Sequence, residues 1–400
     1  MARQQNPGRS ADRDGEVSVL EEIRRRKKMR RMRRTVVLVV LLSVVLAWIT
    51  GLASASLTAA ADLIDTVRIA QQKGEGYPLQ TGITELYQLE PVTGGYVALG
   101  TESCVVYSSG GARLRNIQTG YARPAIAAGS TRFLIYNRGS TELRVESRTK
   151  TLYTQTMPGS ILQCAIADNG TFAAVTESGG YAAQLTIYSS SARQVLTWST
   201  TETEGIPLRL AFSDNGSRLA AATLRTEGGQ VVSGLYILDT GKKTQTELAT
   251  CADSLPLEVV WLSGSRILVL YDDQAVVYDA GDGTVEARFS YEGRTLADWS
   301  VRGSGSVALL LDSGVSTELY LLDGKLETRA QTQTDGGRGT LVTRTAVYVW
   351  TDTAVVCYSL QGEYQWQQDC TQKPQQLLDA DDVLVFYSDT VDRCTPSAAA

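Results

Sequence analysis

Beyond Leu57 the chain alternates short apolar runs with tight polar turns, and helical periodicity is scarce. Runs of this length, rich in Val, Ile, Leu and Tyr and bounded by Gly, Asn and Asp, read as β-strands. They recur as a set: an apolar strand, a tight turn, a small apolar strand, a loop, a strand ending in Tyr or Asp, a second turn and a polar strand. From Ser160 the set is ILQCAIA, DNG, TFAAVTES, AQLTIYS and ARQVLTWS, and from Ile206 it is PLRLAFS, DNG, SRLAAAT, GLYILDT and KTQTELAT. Units begin near Leu86, Arg123, Ser160, Ile206, Leu255, Thr295, Arg338 and Lys373, a mean spacing of about 41 residues. Four strands in each such unit predict an all-β protein, a β-propeller, because a single twisted sheet cannot cover both of its apolar faces and must stack on neighbours until the ring closes.

Closure sets the number of blades. The last unit, KPQQLLDADDVLVFYSDTVDRC, shows two clear strands before the chain runs out at TPSAAA. The missing outer strands are expected from DTVRIAQ and GYPLQTG, far upstream, so that the termini share one blade. Eight blades with one split between the termini is therefore the favoured architecture, and seven complete blades with a packed tail is the alternative. The domain boundaries are a basic tail at 1–34, an apolar span at 35–57, a linker with closing strands at 58–82, the propeller at 83–394 and a disordered tail at 395–400.

One segment breaks the strand pattern. TVVLVVLLSVVLAWITGLASASL, from Thr35 to Leu57, carries no charge and is long enough as a helix to cross a bilayer. It is expected to be a transmembrane helix, with Trp48 as an interfacial anchor. TAAADLIDTVRIAQQ is expected to carry that helix outward until KGEGYPL breaks it. The basic run of Arg24, Arg25, Arg26, Lys27, Lys28, Arg30, Arg31, Arg33 and Arg34 precedes the span. By the positive-inside rule it places the N-terminus in the cytoplasm, the propeller outside and the protein in the plasma membrane. A cleaved signal peptide ending at Ala53–Ala55 fits less well, because a 34-residue basic region is too long for one. The run needs no specific nucleic acid to explain it.

Charge and composition sharpen this. The chain is −5 overall, yet residues 1–34 hold 12 basic and 5 acidic side chains, so the part beyond residue 57 is −12. An outside location permits disulfides, and the six cysteines are even in number. Cys104, Cys164 and Cys357 lie in apolar runs and read as small core residues. Cys370 and Cys394, near the end of the chain, are the candidate disulfide that would staple the last blades.

No histidine is present, which removes Ser-His-Asp and Cys-His nucleophile systems and His-ligated metals. Carboxylates remain as candidate catalytic groups: Asp272 and Asp273, Asp298, and the DADD run from Asp379. All are placed where Asp favours local backbone hydrogen bonds, so no catalytic residue is assigned. DAGDG at Asp279 lacks the spacing and the closing Glu of a calcium loop and reads as a hairpin turn. The twin DNG turns at Asp168 and Asp214 are formal glycosylation sequons, Asn169-Gly170-Thr171 and Asn215-Gly216-Ser217, and also read as turns. No metal and no cofactor is expected.

VVYDAGDGTVEARFS at Val276, LYILDTGKKTQTEL at Leu235 and VVCYSLQGEYQWQQD at Val355 resemble the repeats of quinoprotein-like propellers, a family that is usually eight-bladed. The resemblance is partial, since of the docking tryptophans that close such repeats only Trp366 is in place. The SDNGSRLA turn is similar to those of WD40 propellers, without the Trp-Asp dipeptide. The layout of basic tail, single span and repeat ectodomain resembles an uncharacterised bacterial family of membrane-anchored propellers, a domain of unknown function, which implies no activity. The expected function is a non-enzymatic, membrane-anchored binding scaffold at the cell envelope, with an envelope protein, a peptide or a wall polymer as partner. The alternatives are a quinone-dependent dehydrogenase or carboxylate-based glycosidase, and a ligand sensor coupled through the membrane helix.

Overall fold

The computed structural model describes residues 62–396 apart from 73, 84 and 304. The expected membrane span Thr35–Leu57 and the Arg24–Arg34 run lie outside the described residues, among which no helix is long and apolar enough to cross a membrane. Contacts divide the chain after Ile64, and residues 65 onward form one unit. Within it stand eight four-stranded antiparallel sheets.

Seven of these blades are continuous in sequence, at residues 86–118, 124–156, 161–200, 206–252, 256–290, 295–334 and 339–369. The eighth takes three strands from the C-terminal end, Gln376–Ala380, Asp382–Phe386 and Thr390–Arg393, and its outermost strand, Leu79–Gln80, from upstream of blade 1. The blade is thus split as expected, with Leu79 paired to Val391 and Gln80 to Thr390. Only GYPLQTG supplies a strand. The strand expected of DTVRIAQ is instead helical, within residues 62–70; its composition suits either state, and hydrogen bonds from Arg148 to Thr66 and from Thr149 to Asp65 hold it as a helix. The short, polar TVDR supplies the third strand that the sequence pattern did not reveal.

Blades take this form because their strands sit in different surroundings. The second and third strands are covered on both faces, as in RILVLY (Arg266–Tyr271) and QAVVYD (Gln274–Asp279), and are almost wholly buried. Continuous apolar runs are what such strands require. The outermost strands, such as VEARFS (Val285–Ser290), alternate between exposed and half-buried positions, the period-two pattern of a sheet with one wet face.

The described residues consequently share no single core. Eight apolar clusters lie one at each seam between neighbouring blades. One, for example, joins Ala220, Leu235 and Ile237 of blade 4 to Val259, Trp261 and Tyr278 of blade 5. The closing seam joins Leu89, Tyr96 and Tyr107 of blade 1 to Leu378, Leu384 and Phe386 of blade 8. It is tied further by Thr81, whose amide and hydroxyl both donate to Asp389 O (2.9 and 3.0 Å), and by Tyr107 Oη donating to Thr81 O (2.7 Å).

The strand order defines two faces. The upper face carries the loops from second to third strands and from each blade to the next. The lower face carries the loops from first to second and from third to outermost strands. Residues 65–70 of the helix dock on the lower face. The buried Arg148 donates to Thr66 Oγ1 (2.8 Å) and to Thr93 O (2.7 Å), Thr149 donates to Asp65 Oδ2 (2.8 Å), and Ile69 is buried.

Candidate functional site

The DNG turns lie on the lower face and do structural work. Gly170 (φ 81°) and Gly216 (φ 67°) take the left-handed conformation that the turn needs. Asn169 Oδ1 accepts from Thr171 N (2.8 Å), and Asn215 Oδ1 from Ser217 N (3.0 Å). The same residues also join blades, which the sequence did not reveal: Ser130 N donates to Asp168 Oδ1 (2.8 Å) and Asn169 Nδ2 donates to Asn215 O (2.9 Å). With Thr93 N on Ser130 O (2.7 Å) and Arg218 on Gly264 O, hydrogen bonds link the lower turns of blades 1 to 5 in series.

The other candidate acids are distributed around the ring. Asp272 Oδ1 accepts from Leu255 N (2.7 Å) and holds an upper loop. Asp279 accepts from Gly281 N and Asp282 N (2.7 and 3.1 Å), and Asp282 from Thr284 N (2.9 Å), the bonding of a plain turn. Asp382 pairs with Arg393 (3.2 Å). Among the described residues no group of three or more His, Cys, Asp or Glu side chains is placed to hold a metal ion. The structure draws no disulfide among the six cysteines. Cys370 and Cys394 pack against one cluster between blades 7 and 8, and burial pushes the Cys394 thiol up to about 12.

Asp298 and Asp379, in contrast, line one funnel. It is a cavity of about 1160 Å³ that opens on the upper face between blades 6, 7, 8 and 1 and runs down the innermost strands. Tyr87, Trp299, Trp350 and Pro374 supply its apolar wall, and Glu85, Glu90, Asp298 and Asp379 its acids. A smaller cavity of about 710 Å³ opens on the lower face, lined by Arg302, Arg344, Asp379 and Asp381 among others. Asp379 lines both cavities, and its ion pair with Arg302 (3.0 Å) stands at the neck between them.

A repeated backbone device aims the polar groups. The innermost strands of blades 1, 3, 4, 5 and 6 each carry one extra residue near their upper end, a β-bulge that shifts the register just before Gln88, Gln163, Arg209, Glu258 and Asp298. Bulges redirect the side chains that follow them. Gln88 donates to Ile126 O (2.8 Å) and accepts from Ile126 N (3.0 Å) on blade 2, and Arg209 donates to Leu257 O on blade 5. Asp298 accepts from Thr340 N (2.7 Å) on blade 7. Asp298 was visible in the sequence only as a solitary acid. Aligning LYQ, ILQ, PLR, PLE and LAD at the unit starts would have shown the recurring polar position.

Electrostatics follow from this placement. Burial pushes the Asp298 carboxyl up to about 6, against the opposing bonds from Thr340 N and Trp299 N. Burial likewise raises Glu90, helped by the charge of Glu258 across the channel and opposed by Gln88. Glu258 is raised by burial, against its bond from Val259 N and the charge of Arg209. Among the described residues neither Glu90 nor Asp298 forms an ion pair, so the funnel holds carboxylates that a cationic or proton-donating group would relieve.

Solved structures of the same fold are known. The chain is similar to Sqt1 of Saccharomyces cerevisiae (9% identity, TM-score 0.58, covering 81% of this chain and 100% of that one). It is also similar to the C-terminal WD40 domain of Sif2 (12%, 0.57, 80% and 99%) and to Sqt1 of Chaetomium thermophilum bound to the N-terminus of the ribosomal protein L10 (11%, 0.57, 80% and 100%). At such identities the likeness shows a WD40-like propeller fold and nothing more. A search of curated protein sequences finds no match. The profile of DUF5711, a family of unknown function, matches residues 75–392, which runs from just before the split blade's outer strand to its last one, and the chain belongs to that family.

Proposed function

We propose that this protein is a non-enzymatic binding scaffold whose upper face receives a partner. The observation that carries the proposal is the unequal use of the two faces. The large funnel opens upward, while the helical residues 65–70 occupy the lower face through buried Arg148. Tyr87, Tyr181, Ile206, Val231, Leu255 and Val315 also give the upper face exposed apolar side chains of the kind a docking surface needs, although Val285 and Tyr364 are exposed below. The hairpin of Arg218–Glu227 and Gln230–Asp239, the longest strands in the ring, projects on that side. A propeller of this fold is known in complex with the N-terminus of a ribosomal protein, which supports a polypeptide partner.

In the same proposal residues 35–57 anchor the chain in the plasma membrane of a bacterial cell and the Arg24–Arg34 run stays in the cytoplasm. The partner is then an envelope protein, a peptide or a wall polymer. Cross-linking in intact cells through photoreactive residues at Tyr181 and Val231 tests this, with Glu363 on the lower face as control. Adducts from the upper positions alone support the proposal. Equal labelling at both faces, or none, refutes it. Protease added to spheroplasts should digest the propeller and spare the basic tail, and the reverse pattern refutes the topology.

A second reading, a carboxylate-based glycosidase, has one observation in its favour: Asp298, held near half-protonation around pH 6, shares the funnel with Asp379. Asp379 is committed to Arg302, which makes it a poor nucleophile. Sugar release that depends on Asp298 would promote this reading.

A further inference from the structure

We propose that the upper face is built for a cationic, partly apolar polypeptide segment, an inference that rests on the binding role above and names its partner's chemistry. The ground is a charge asymmetry between the two ends of the ring. Among the described residues, the loops of the upper face carry twelve carboxylates against five Lys and Arg side chains, a net of −7. The loops of the lower face carry seven of each. The chain is acidic overall, but the excess is concentrated at one end.

The five upper cations are already counted in that excess, and three of them are tied to neighbouring carboxylates. Arg338 is bound by both oxygens of Asp352 (3.1 Å each), and Lys373 shares that carboxylate (2.9 Å). Arg294 is taken by Glu292 (2.9 Å) and Glu318 (3.5 Å). Glu85, Glu202 and Asp273 are exposed, their side chains make no hydrogen bond or ion pair among the described residues, and they stand over blades 1, 4 and 5. Between them lie the exposed Tyr87, Ile206 and Leu255. The surface therefore offers negative potential and apolar footholds together. The funnel continues it inward with Glu90 and Asp298, neither of them paired with a base.

An acidic partner would meet repulsion, and a purely hydrophilic one would leave those apolar groups in water. A segment alternating Lys or Arg with apolar residues satisfies both features, and long-range attraction would speed its capture.

The test uses the full chain in detergent and a short fluorescein-labelled peptide alternating arginine and leucine, with its glutamate and leucine counterpart as control. Anisotropy should show binding of the cationic peptide alone, weakening steeply between about 0.05 and about 0.5 M salt as screening shortens the range of the field. The combined exchange Glu85→Gln, Glu202→Gln and Asp273→Asn should weaken binding about tenfold, as expected for removing several facing charges. The lower-face exchange Asp214→Asn with Glu363→Gln should leave it unchanged. Equal loss from both sets, insensitivity to salt, equal binding of the acidic peptide, or no binding of the cationic one overturns the inference. If cross-linking still captures a partner on the upper face in that event, the scaffold role stands and only the cationic chemistry falls.

Discussion

Replacing Asp298 by Asn is the sharpest probe of the channel. The Asp298 carboxyl is raised from 3.8 to about 6, a shift of about two units, which corresponds to roughly 3 kcal/mol of penalty on the charged form. The folded state binds this proton more tightly than the unfolded chain. Stability therefore falls as pH rises through the window from about 4 to about 6, and at pH 7 the whole penalty is present. Asparagine keeps an oxygen for Thr340 N, which now donates to Asp298 Oδ2 (2.7 Å), and carries no charge. Its new amide donors need partners, which offsets about 1 kcal/mol. The variant should be more stable than the parent by about 1–2 kcal/mol at pH 7.5 and no more stable at pH 4. Urea unfolding followed by tryptophan fluorescence at both pH values measures the difference, and comparing variant with parent cancels the parallel titrations of Glu90 and Glu258. Equal differences at the two pH values, or a loss at pH 7.5, would refute the assignment of Asp298 as a desolvated acid.

Three further outcomes are expected. Arg148→Ala strips the helical residues of their anchor, leaving Thr66 Oγ1 and Thr93 O without the donor that now serves them; limited proteolysis should then cut near residues 62–72 while the ring survives, and an unchanged cleavage map would count against the latch. Gly339→Ala sets a methyl group 2.0 Å from the Trp350 ring, so the funnel wall must move; a loss of about 1–3 kcal/mol with an altered near-UV circular dichroism spectrum is expected, and an unperturbed spectrum would contradict the packing. If the propeller stands outside the cell, Cys370 and Cys394 should be found joined by mass mapping of the unreduced protein, and the recovery of both as alkylated thiols would dismiss the staple.

The sequence by itself determined the repeat. Seven of the eight unit starts read from it fall within one residue of the observed first strands, at Leu86, Pro124, Ile161, Ile206, Pro256, Thr295 and Gly339. The reason is that burial on both faces demands unbroken apolar runs, and positive-φ turns demand Gly or Asn, so a blade writes itself into a short stretch of chain. The split blade was legible for the same reason in GYPLQTG, whereas TVDR was too short and polar to announce a strand, and DTVRIAQ has a composition compatible with either state until Arg148 and Thr149 of a distant blade hold it as a helix.

Only the tertiary structure decided where chemistry gathers. Asp272, Asp298, Asp379 and Asp382 look alike in sequence, each an acid near a strand end. Closure of the ring sent Asp272 to a loop amide, Asp382 to Arg393, and Asp298 and Asp379 to one funnel. The charge asymmetry was hidden similarly, since upper and lower loops alternate along the chain and their charges average out in any sequence window. Burial, register and the direction of a side chain after a bulge depend on residues from neighbouring blades or opposite ends of the chain, and a linear pattern carries no record of those neighbours until the eighth sheet closes.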